Sequence, residues 1–212
     1  MLNLLSNLVF VPLLLISIGS GLWWILSPAI TSKKKNHLHL FVDNVFYFLL
    51  IAFVLNGVTH ISEILELPYR ALILSTKEVS LSFILVLTYR AIRYLTQERE
   101  NHETLVSVFQ LISLIGLVNH IYYYYLYKST LTVGLIVLFS GLLLFFSIVP
   151  LKGNRWMYVS LLGLVLHLIL TKKQAILYFG FIVTPELIAL TAIEWSLLLV
   201  LLLRRQKQSE RT

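Results

Sequence analysis

The chain contains no cysteine among its 212 residues. Without cysteine it has no disulfide, no thiolate nucleophile and no zinc–thiolate or iron–sulfur site. Other catalytic signatures are also missing, since the sequence shows no H-E-x-x-H pair, no serine–histidine motif, no phosphate-binding glycine loop and no C-terminal C-a-a-X box. Local motifs therefore do not identify a reaction.

Charged residues are scarce as well. They make up 13% of the chain, against 58% hydrophobic residues and a mean hydropathy of +0.85, whereas a soluble domain has roughly 25% charged residues. This composition predicts an all-α, polytopic integral membrane protein whose first partner is the lipid bilayer. It leaves no room for a separate soluble catalytic domain.

The net charge of +7 and the pI of about 9.6 do not indicate nucleic-acid binding. The basic residues stand in short clusters beside apolar runs, as they do in the cytoplasmic loops of membrane proteins. We therefore read these clusters as evidence of topology and expect no nucleic-acid partner.

Seven apolar runs reach or approach the roughly 20 residues that a helix needs to cross a bilayer. We expect one bundle domain over residues 1–203 and a short basic cytoplasmic tail over residues 204–212. Pro185 lies inside the last run and predicts a kink, because proline removes a helix hydrogen bond and clashes with the preceding turn. The predicted spans are 3–26, 38–58, 71–94, 104–123, 129–149, 156–171 and 175–203.

Lysine and arginine predict the orientation, because they are enriched in cytoplasmic loops. With seven spans, four basic clusters fall on one side, which places the N-terminus outside and the C-terminus inside, in a bacterial-type cell membrane. Lys172 and Lys173 are the exception on the outer side. The four clusters consist of Lys33, Lys34 and Lys35; Arg90, Arg93 and Arg99; Lys152 and Arg155; and Arg204, Arg205 and Lys207.

Three histidines occur in similar contexts: "NGVTHI" contains His60, "GLVNHI" contains His120 and "GLVLHL" contains His167. In the predicted topology these three helices all run outward, so the imidazoles lie near the outer surface. A glycine three or four residues before each histidine would let a neighbouring helix approach closely. The three imidazoles either converge on one site or are separate interfacial side chains.

Acidic residues fall at the same predicted level. Glu78 lies early in the third span and Glu186 follows Pro185, and a charged residue inside a membrane usually faces the bundle interior with a partner. Glu186 is the stronger candidate, because the predicted kink would leave a backbone carbonyl without its donor and create a polar cavity. The predicted substrate- or proton-binding set is Glu186, His120, His167, Glu78 and His60.

Other polar and aromatic residues have simpler interpretations. Glu63 and Glu66 read as solvated loop residues, and His37 and His39 as loop residues near anionic lipid head groups. The tyrosines and tryptophans near the ends of the spans form an interfacial aromatic belt, consisting of Tyr122 to Tyr125, Trp23, Trp24 and Trp156.

Three functions remain open. The first is a membrane protein that binds or transports a small solute or ion through a titratable His/Glu site. The second is a membrane-embedded metal-dependent enzyme acting on a lipid or lipid-linked substrate, with zinc held by His60, His120 and His167; a haem between His120 and His167 is a related hypothesis. The third is a non-catalytic sensor or an assembly subunit that partners another membrane chain.

Overall fold

A computed structural model of the chain describes residues 2–27, 29–96, 102–148, 155–172, 174–178 and 181–209. These residues are nearly all helical, and the exception is one two-stranded antiparallel hairpin. The helices are α1 (Leu2–Leu26), α2 (Thr31–Thr59), α3 (Ile61–Glu66), a 3-10 turn (Pro68–Leu72), α4 (Thr76–Thr96), α5 (His102–Tyr127), α6 (Thr130–Ile148), α7 (Arg155–Leu170) and α8 (Pro185–Ser209). The strands are β1 (Ile176–Tyr178) and β2 (Phe181–Val183).

Among the described residues, four helical segments are long and apolar enough to cross a membrane. A helix rises 1.5 Å per residue, so about 20 residues cover a hydrocarbon core of about 30 Å. Two shorter apolar helices cover Val11–Leu26 and Arg155–Leu170. The prediction of a helical, membrane-embedded chain is confirmed to this extent. The four long segments are Thr31–Thr59, Pro68–Arg90, Thr104–Tyr127 and Thr130–Ile148.

The predicted helix over residues 175–203 with a kink at Pro185 is wrong. Residues 176–178 and 181–183 form the two paired strands, with Ile176 opposite Val183 and Tyr178 opposite Phe181, and α8 begins at Pro185 itself. Proline suits the first helical position because its missing N–H would have no intrahelical partner there. The β-branched and aromatic residues before it favour extended strands. No polar cavity at a helix break is needed to explain this segment.

The predicted loop after the first span is also corrected. Helix α2 begins at Thr31, so the three lysines of "TSKKKNH" lie in its first two turns, and His37 and His39 are helical. His37 is buried at 3% exposure. Part of the predicted topology falls outside the described residues, namely Arg99, Lys152 and Lys173, together with the side chains of Arg204, Arg205 and Lys207.

The chain groups into two compact units, residues 1–38 with 99–212 and residues 39–98. In the first unit, α5 packs against α1 and α6, α6 against α7, and α7 against α8. Fully buried side chains from four helices form its core: Trp23, Leu111, Leu135 and Met157. The second unit holds most of α2 with α3, the 3-10 turn and α4. The single domain over residues 1–203 stays a prediction.

The contact between α1 and α5 depends on a glycine. A Cβ placed on Gly19 would lie 2.8 Å from the Cα of Ile115, a backbone atom that moves only if α5 moves. Gly21, two residues later on the same helix, has no atom within 4 Å of such a Cβ. Small residues in membrane helices permit this kind of close approach.

We predict that Gly19→Ala lowers the melting temperature and that Gly21→Ala does not. Overpacking a close contact costs about 1–3 kcal/mol, whereas alanine at an open helix position is favoured over glycine by about 1 kcal/mol. Thermal unfolding of both variants in one detergent measures the difference. Equal melting temperatures for the two variants would refute the close packing at Gly19.

Candidate functional site

A buried carboxylate, Glu78, is the centre of the polar network in the second unit. It is 5% exposed although it lies in an apolar membrane-length segment. The local sequence places it there, because Ser75 and Glu78 form the S-x-x-E pattern that begins a helix. The Ser75 backbone N–H donates to Glu78 Oε2 at 2.6 Å. The negative charge also suits the positive N-terminal end of α4.

The other oxygen of Glu78 faces the end of α2. His60 Nε2 lies 2.9 Å from Glu78 Oε1, and the Thr59 hydroxyl oxygen lies 3.2 Å from the same atom. The Thr59 hydroxyl also lies 2.8 Å from the Leu55 carbonyl and 3.4 Å from the Asn56 carbonyl, so three acceptors compete for its single proton. The buried carboxylate is therefore held by donors at the C-terminal end of α2 and by the Ser75 N–H just before α4.

His60 connects Glu78 to a second carboxylate at the surface. Its Nδ1 lies 3.1 Å from Glu63 Oε1, and the Glu63 side chain is 55% exposed. Arg70 Nε donates to Glu63 Oε2 at 3.0 Å, and the same guanidinium also donates to the Ile73 carbonyl. A continuous network of contacts thus runs from buried Glu78 through His60 and Glu63 to Arg70.

Two hydrogen bonds from the His60 ring to ionised Glu63 and Glu78 would require a particular form of the imidazole. An ionised carboxylate only accepts hydrogen bonds, so bonds from both ring nitrogens to Glu63 and Glu78 require the imidazolium form, which alone has two N–H donors. With Arg70 the four groups then carry two positive and two negative charges. Mutual neutralisation of this kind is what permits a carboxylate to be buried.

Glu63, at the solvent-exposed end of this series of contacts, responds to pH. Hydrogen bonds, first from His60 and then from Arg70, hold the pKa of the Glu63 carboxyl below its ordinary value. A carboxyl whose pKa is lowered by folding stabilises the folded state at pH values above its unfolded pKa. This stabilisation is lost as the pH falls through the lowered pKa, when Glu63 is protonated.

Asn56 anchors the turn that carries Arg70. Its side chain is fully buried, and its amide donates to the Ala71 carbonyl at 2.9 Å and to the Arg70 carbonyl at 3.4 Å. These bonds fix the 3-10 turn against α2 and so position the guanidinium beside Glu63.

A second polar cluster lies in the other unit, where the imidazoles of His120 and His167 are packed with two aromatic rings. Phe139 contacts both imidazoles, with ring centroids 5.3 Å from His120 and 6.0 Å from His167. Tyr178 also contacts both, at 4.8 Å and 5.6 Å. The Tyr178 hydroxyl lies 3.3 Å from His167 Nε2. Three helices and the hairpin thus meet at this cluster.

Local packing explains the position of His120. A Cβ on Gly116, one turn earlier on α5, would lie 2.6 Å from the Phe139 ring, so glycine is required for this contact. Asn119 directly precedes His120 on α5. Its side-chain amide donates to the Leu177 carbonyl at 3.5 Å and so connects the hairpin to α5. His120 is 1% exposed, and its Nε2 has no hydrogen-bond partner among the described residues.

The predicted residues fall into three groups. His60 pairs with Glu78 in the second unit, and His120 shares a cluster with His167 in the first. Glu186 is exposed in the first turn of α8, two residues after Thr184. The Thr184 hydroxyl accepts a bond from the Leu187 backbone N–H. An acidic residue in a first helical turn is favoured by the helix dipole alone. The role of Glu186 in proton binding stays a prediction.

The expected glycine packing is confirmed for two of the three histidine motifs. Gly116 contacts Phe139, and a Cβ on Gly163 would lie 3.0 Å from the Leu142 side chain. Gly57 has open space instead.

The metal hypotheses gain no support from the part of the chain that the structure describes. There, no group of three or more histidine, aspartate or glutamate side chains is arranged to hold a metal ion. Zinc at His60, His120 and His167, and haem between His120 and His167, stay predictions.

Among the titratable members of these clusters, sequence reasoning missed Glu63, Arg70 and Tyr178. Glu63 read as merely solvated, yet the H-x-x-E spacing from His60 puts both side chains on one side of a helical turn. Arg70 and Tyr178 had no comparable local signal, because the contacts that involve them depend on the 3-10 turn and on the hairpin.

Comparison with known proteins finds no matching family model, no similar curated protein and no similar solved structure. The function must therefore be inferred from the chemistry of the two clusters.

We predict that His60 carries protons on both ring nitrogens while Glu63 and Glu78 are ionised. Nitrogen NMR of histidine-labelled protein in lipid nanodiscs at neutral pH should show two protonated nitrogens for the signal that disappears in His60→Gln. A signal from one bare and one protonated nitrogen would contradict the double carboxylate contact.

Proposed function

We propose that this chain is a multi-pass membrane protein that binds or transports a small solute or ion by exchanging a proton at Glu78. The observation that carries the proposal is the pairing of this buried carboxylate with His60, whose other nitrogen contacts exposed Glu63. Ionisable residues inside a membrane are costly and usually mark an ion or substrate pathway. An imidazolium between two carboxylates can donate a proton and, once neutral, accept one again, so His60 can act as a proton relay in this pathway.

The proposed mechanism follows from the hydrogen bonds. When Glu78 Oε1 takes the Nε2 proton of the His60 imidazolium, both groups become neutral and the ion pair between them is lost. His60 then exchanges a proton with Glu63, which is in contact with solvent. A solute or cation that binds near Glu78 competes for the same carboxylate and is thereby linked to the proton.

The proposed transmembrane topology is part of the same functional proposal. Seven crossings, with the N-terminus outside and the C-terminus cytoplasmic, would place α3 and the 3-10 turn at the outer face of a cell membrane. Glu63 and Arg70 would then meet the external solution. The lysines at the start of α2 would lie on the cytoplasmic side, where basic residues are enriched.

Three of the predicted binding residues lie outside the network of Glu78 and His60. His120 and His167 are buried in the membrane-embedded part of the first unit, and we propose them as a second titratable site. Glu186 is included in the proposal as an exposed carboxylate that can deliver or receive protons.

We predict that purified protein in liposomes conducts protons when a potassium diffusion potential drives them inward, and that Glu78→Gln and His60→Gln slow this flux at least about tenfold. A general acid–base group contributes about a hundredfold or more when proton transfer passes through it. A pH-sensitive dye trapped inside the liposomes measures the flux.

Glu66→Gln is the matched control, because Glu66 lies on the same short helix as Glu63 and is exposed. It should conduct like the unmodified chain. Glu186→Gln tests whether the first unit takes part in the same pathway. Unchanged flux in a folded Glu78→Gln variant, or wild-type flux no faster than that of empty liposomes, would refute the proposed function.

A further inference from the structure

Helices α2 and α4 run in opposite directions, and contacts at both ends fix their alignment. At one end, Arg90 Nε donates to the Asn44 side-chain oxygen, and the rings of Tyr47 and Tyr89 lie 6.2 Å apart. At the other end, Glu78 contacts the last residues of α2. Each turn along α4 from Glu78 therefore matches one turn back along α2.

Asn56 and Ser82 occupy the next level of this helix pair. Asn56 precedes His60 by four residues on α2. Ser82 follows Glu78 by four residues on α4. Residues four apart lie on the same side of a helix, so the contact between His60 and Glu78 is followed, one turn deeper, by a second polar layer. Both side chains of this layer are fully buried, at 0% exposure.

The second layer is rich in hydrogen-bond acceptors and poor in donors. The Asn56 amide nitrogen already donates to the Arg70 and Ala71 carbonyls, while Asn56 Oδ1 is buried with no donor among the described residues. The Ser82 hydroxyl donates its one proton to the Glu78 backbone carbonyl at 2.6 Å. Both side-chain oxygens can thus only accept, and a buried acceptor without a partner is unfavourable.

Glu78 and Thr59 add two more oxygens beside this layer. Glu78 Oε1 lies 3.2 Å from the Thr59 hydroxyl oxygen, whose proton can go to the Leu55 carbonyl at 2.8 Å. Oxygen ligands suit hard metal cations, and a single carboxylate balances the charge of a monovalent ion. The C-terminal end of α2 is the negative end of its dipole, and membrane transporters use such helix ends to coordinate sodium. These oxygens therefore suit a sodium ion.

We propose that Glu78, Thr59, Asn56 and Ser82 form a binding site for a sodium ion that exchanges for a proton. This proposal rests on the proposed proton exchange at Glu78 and names the ion to which that exchange is coupled. The Asn56 oxygen is the buried group whose missing partner a bound ion would supply.

Sodium and the His60 imidazolium compete for the same oxygen, because His60 Nε2 lies 2.9 Å from Glu78 Oε1. When a sodium ion binds there, the imidazolium loses the negative charge that stabilises it. It then gives its Nδ1 proton to Glu63, from which the proton passes to solvent, while Arg70 stays charged beside Glu63. One sodium ion is taken up for each proton released, so the net charge of the site does not change.

Proton release on sodium binding tests the proposal. The full chain in phosphatidylcholine nanodiscs, weakly buffered near neutral pH with a pH indicator, is titrated with sodium chloride in place of choline chloride at constant ionic strength. The unmodified chain should release about one proton per bound sodium ion. Asn56→Ala and Ser82→Ala should each raise the sodium concentration for half-maximal release at least about tenfold, because each removes an oxygen ligand.

Ser80→Ala is the matched control, because Ser80 lies on α4 two residues from Ser82 and so on another side of the helix. It should leave the half-maximal concentration unchanged. Ser82→Ala decides the question if Asn56→Ala does not fold, since the Ser82 hydroxyl bonds within its own helix. Equal titration curves for Ser82→Ala and Ser80→Ala would overturn the proposed site.

Proton flux in sodium-free liposomes separates this proposal from the proposed function. If that flux still depends on Glu78 while sodium releases no proton, the sodium site is overturned and the proposed function stands. Equal proton release on adding choline chloride alone would show an effect of ionic strength and would also overturn the site. Loss of both the sodium response and the Glu78-dependent flux would refute both proposals.

Discussion

A carboxylate in an apolar helix must be given hydrogen-bond donors, and this requirement for Glu78 determines the arrangement of the segment from Asn56 to Glu78. The capping contact from Ser75 supplies one donor, and the end of α2 supplies others through Thr59 and His60. Because a buried ion without partners is strongly unfavourable, the ends of α2 and α4 are held together. The short helix and the 3-10 turn between them then carry the compensating charges to the surface.

The cluster around His120 has a different physical basis, since it contains hydrogen-bonding rings but no carboxylate. Phe139 and Tyr178 surround the imidazoles, and a glycine on α5 makes the necessary space. Here close packing is the main constraint. The hairpin that carries Tyr178 is joined to α5 by the Asn119 amide, so this short extended segment between α7 and α8 completes the buried site.

Sequence patterns were sufficient for elements that depend on composition and length, and insufficient for those that depend on tertiary contact. Apolar runs predicted the helices α5, α6 and α7 to within a few residues. Pro185 was misread because proline fits both a kink and a first helical position, and only the extended pairing before it decides between them. His60 and Glu78 were both named as candidate binding residues from the sequence, so their pairing could be anticipated. The contact of His60 with Glu63 had a local signal in the H-x-x-E spacing. The contact of Glu63 with Arg70 had none, because it requires the path of the 3-10 turn.

A double-mutant cycle on Glu78→Gln and His60→Gln, read out as the free energy of unfolding in detergent, tests most directly whether these two side chains act as a bonded pair. Contacting groups in one hydrogen-bond network show coupling energies of about 0.5–3 kcal/mol, whereas independent groups show additive losses. We expect the double variant to lose clearly less stability than the sum of the single variants. Additive losses would contradict the account, because Glu78 would then be buried without depending on His60.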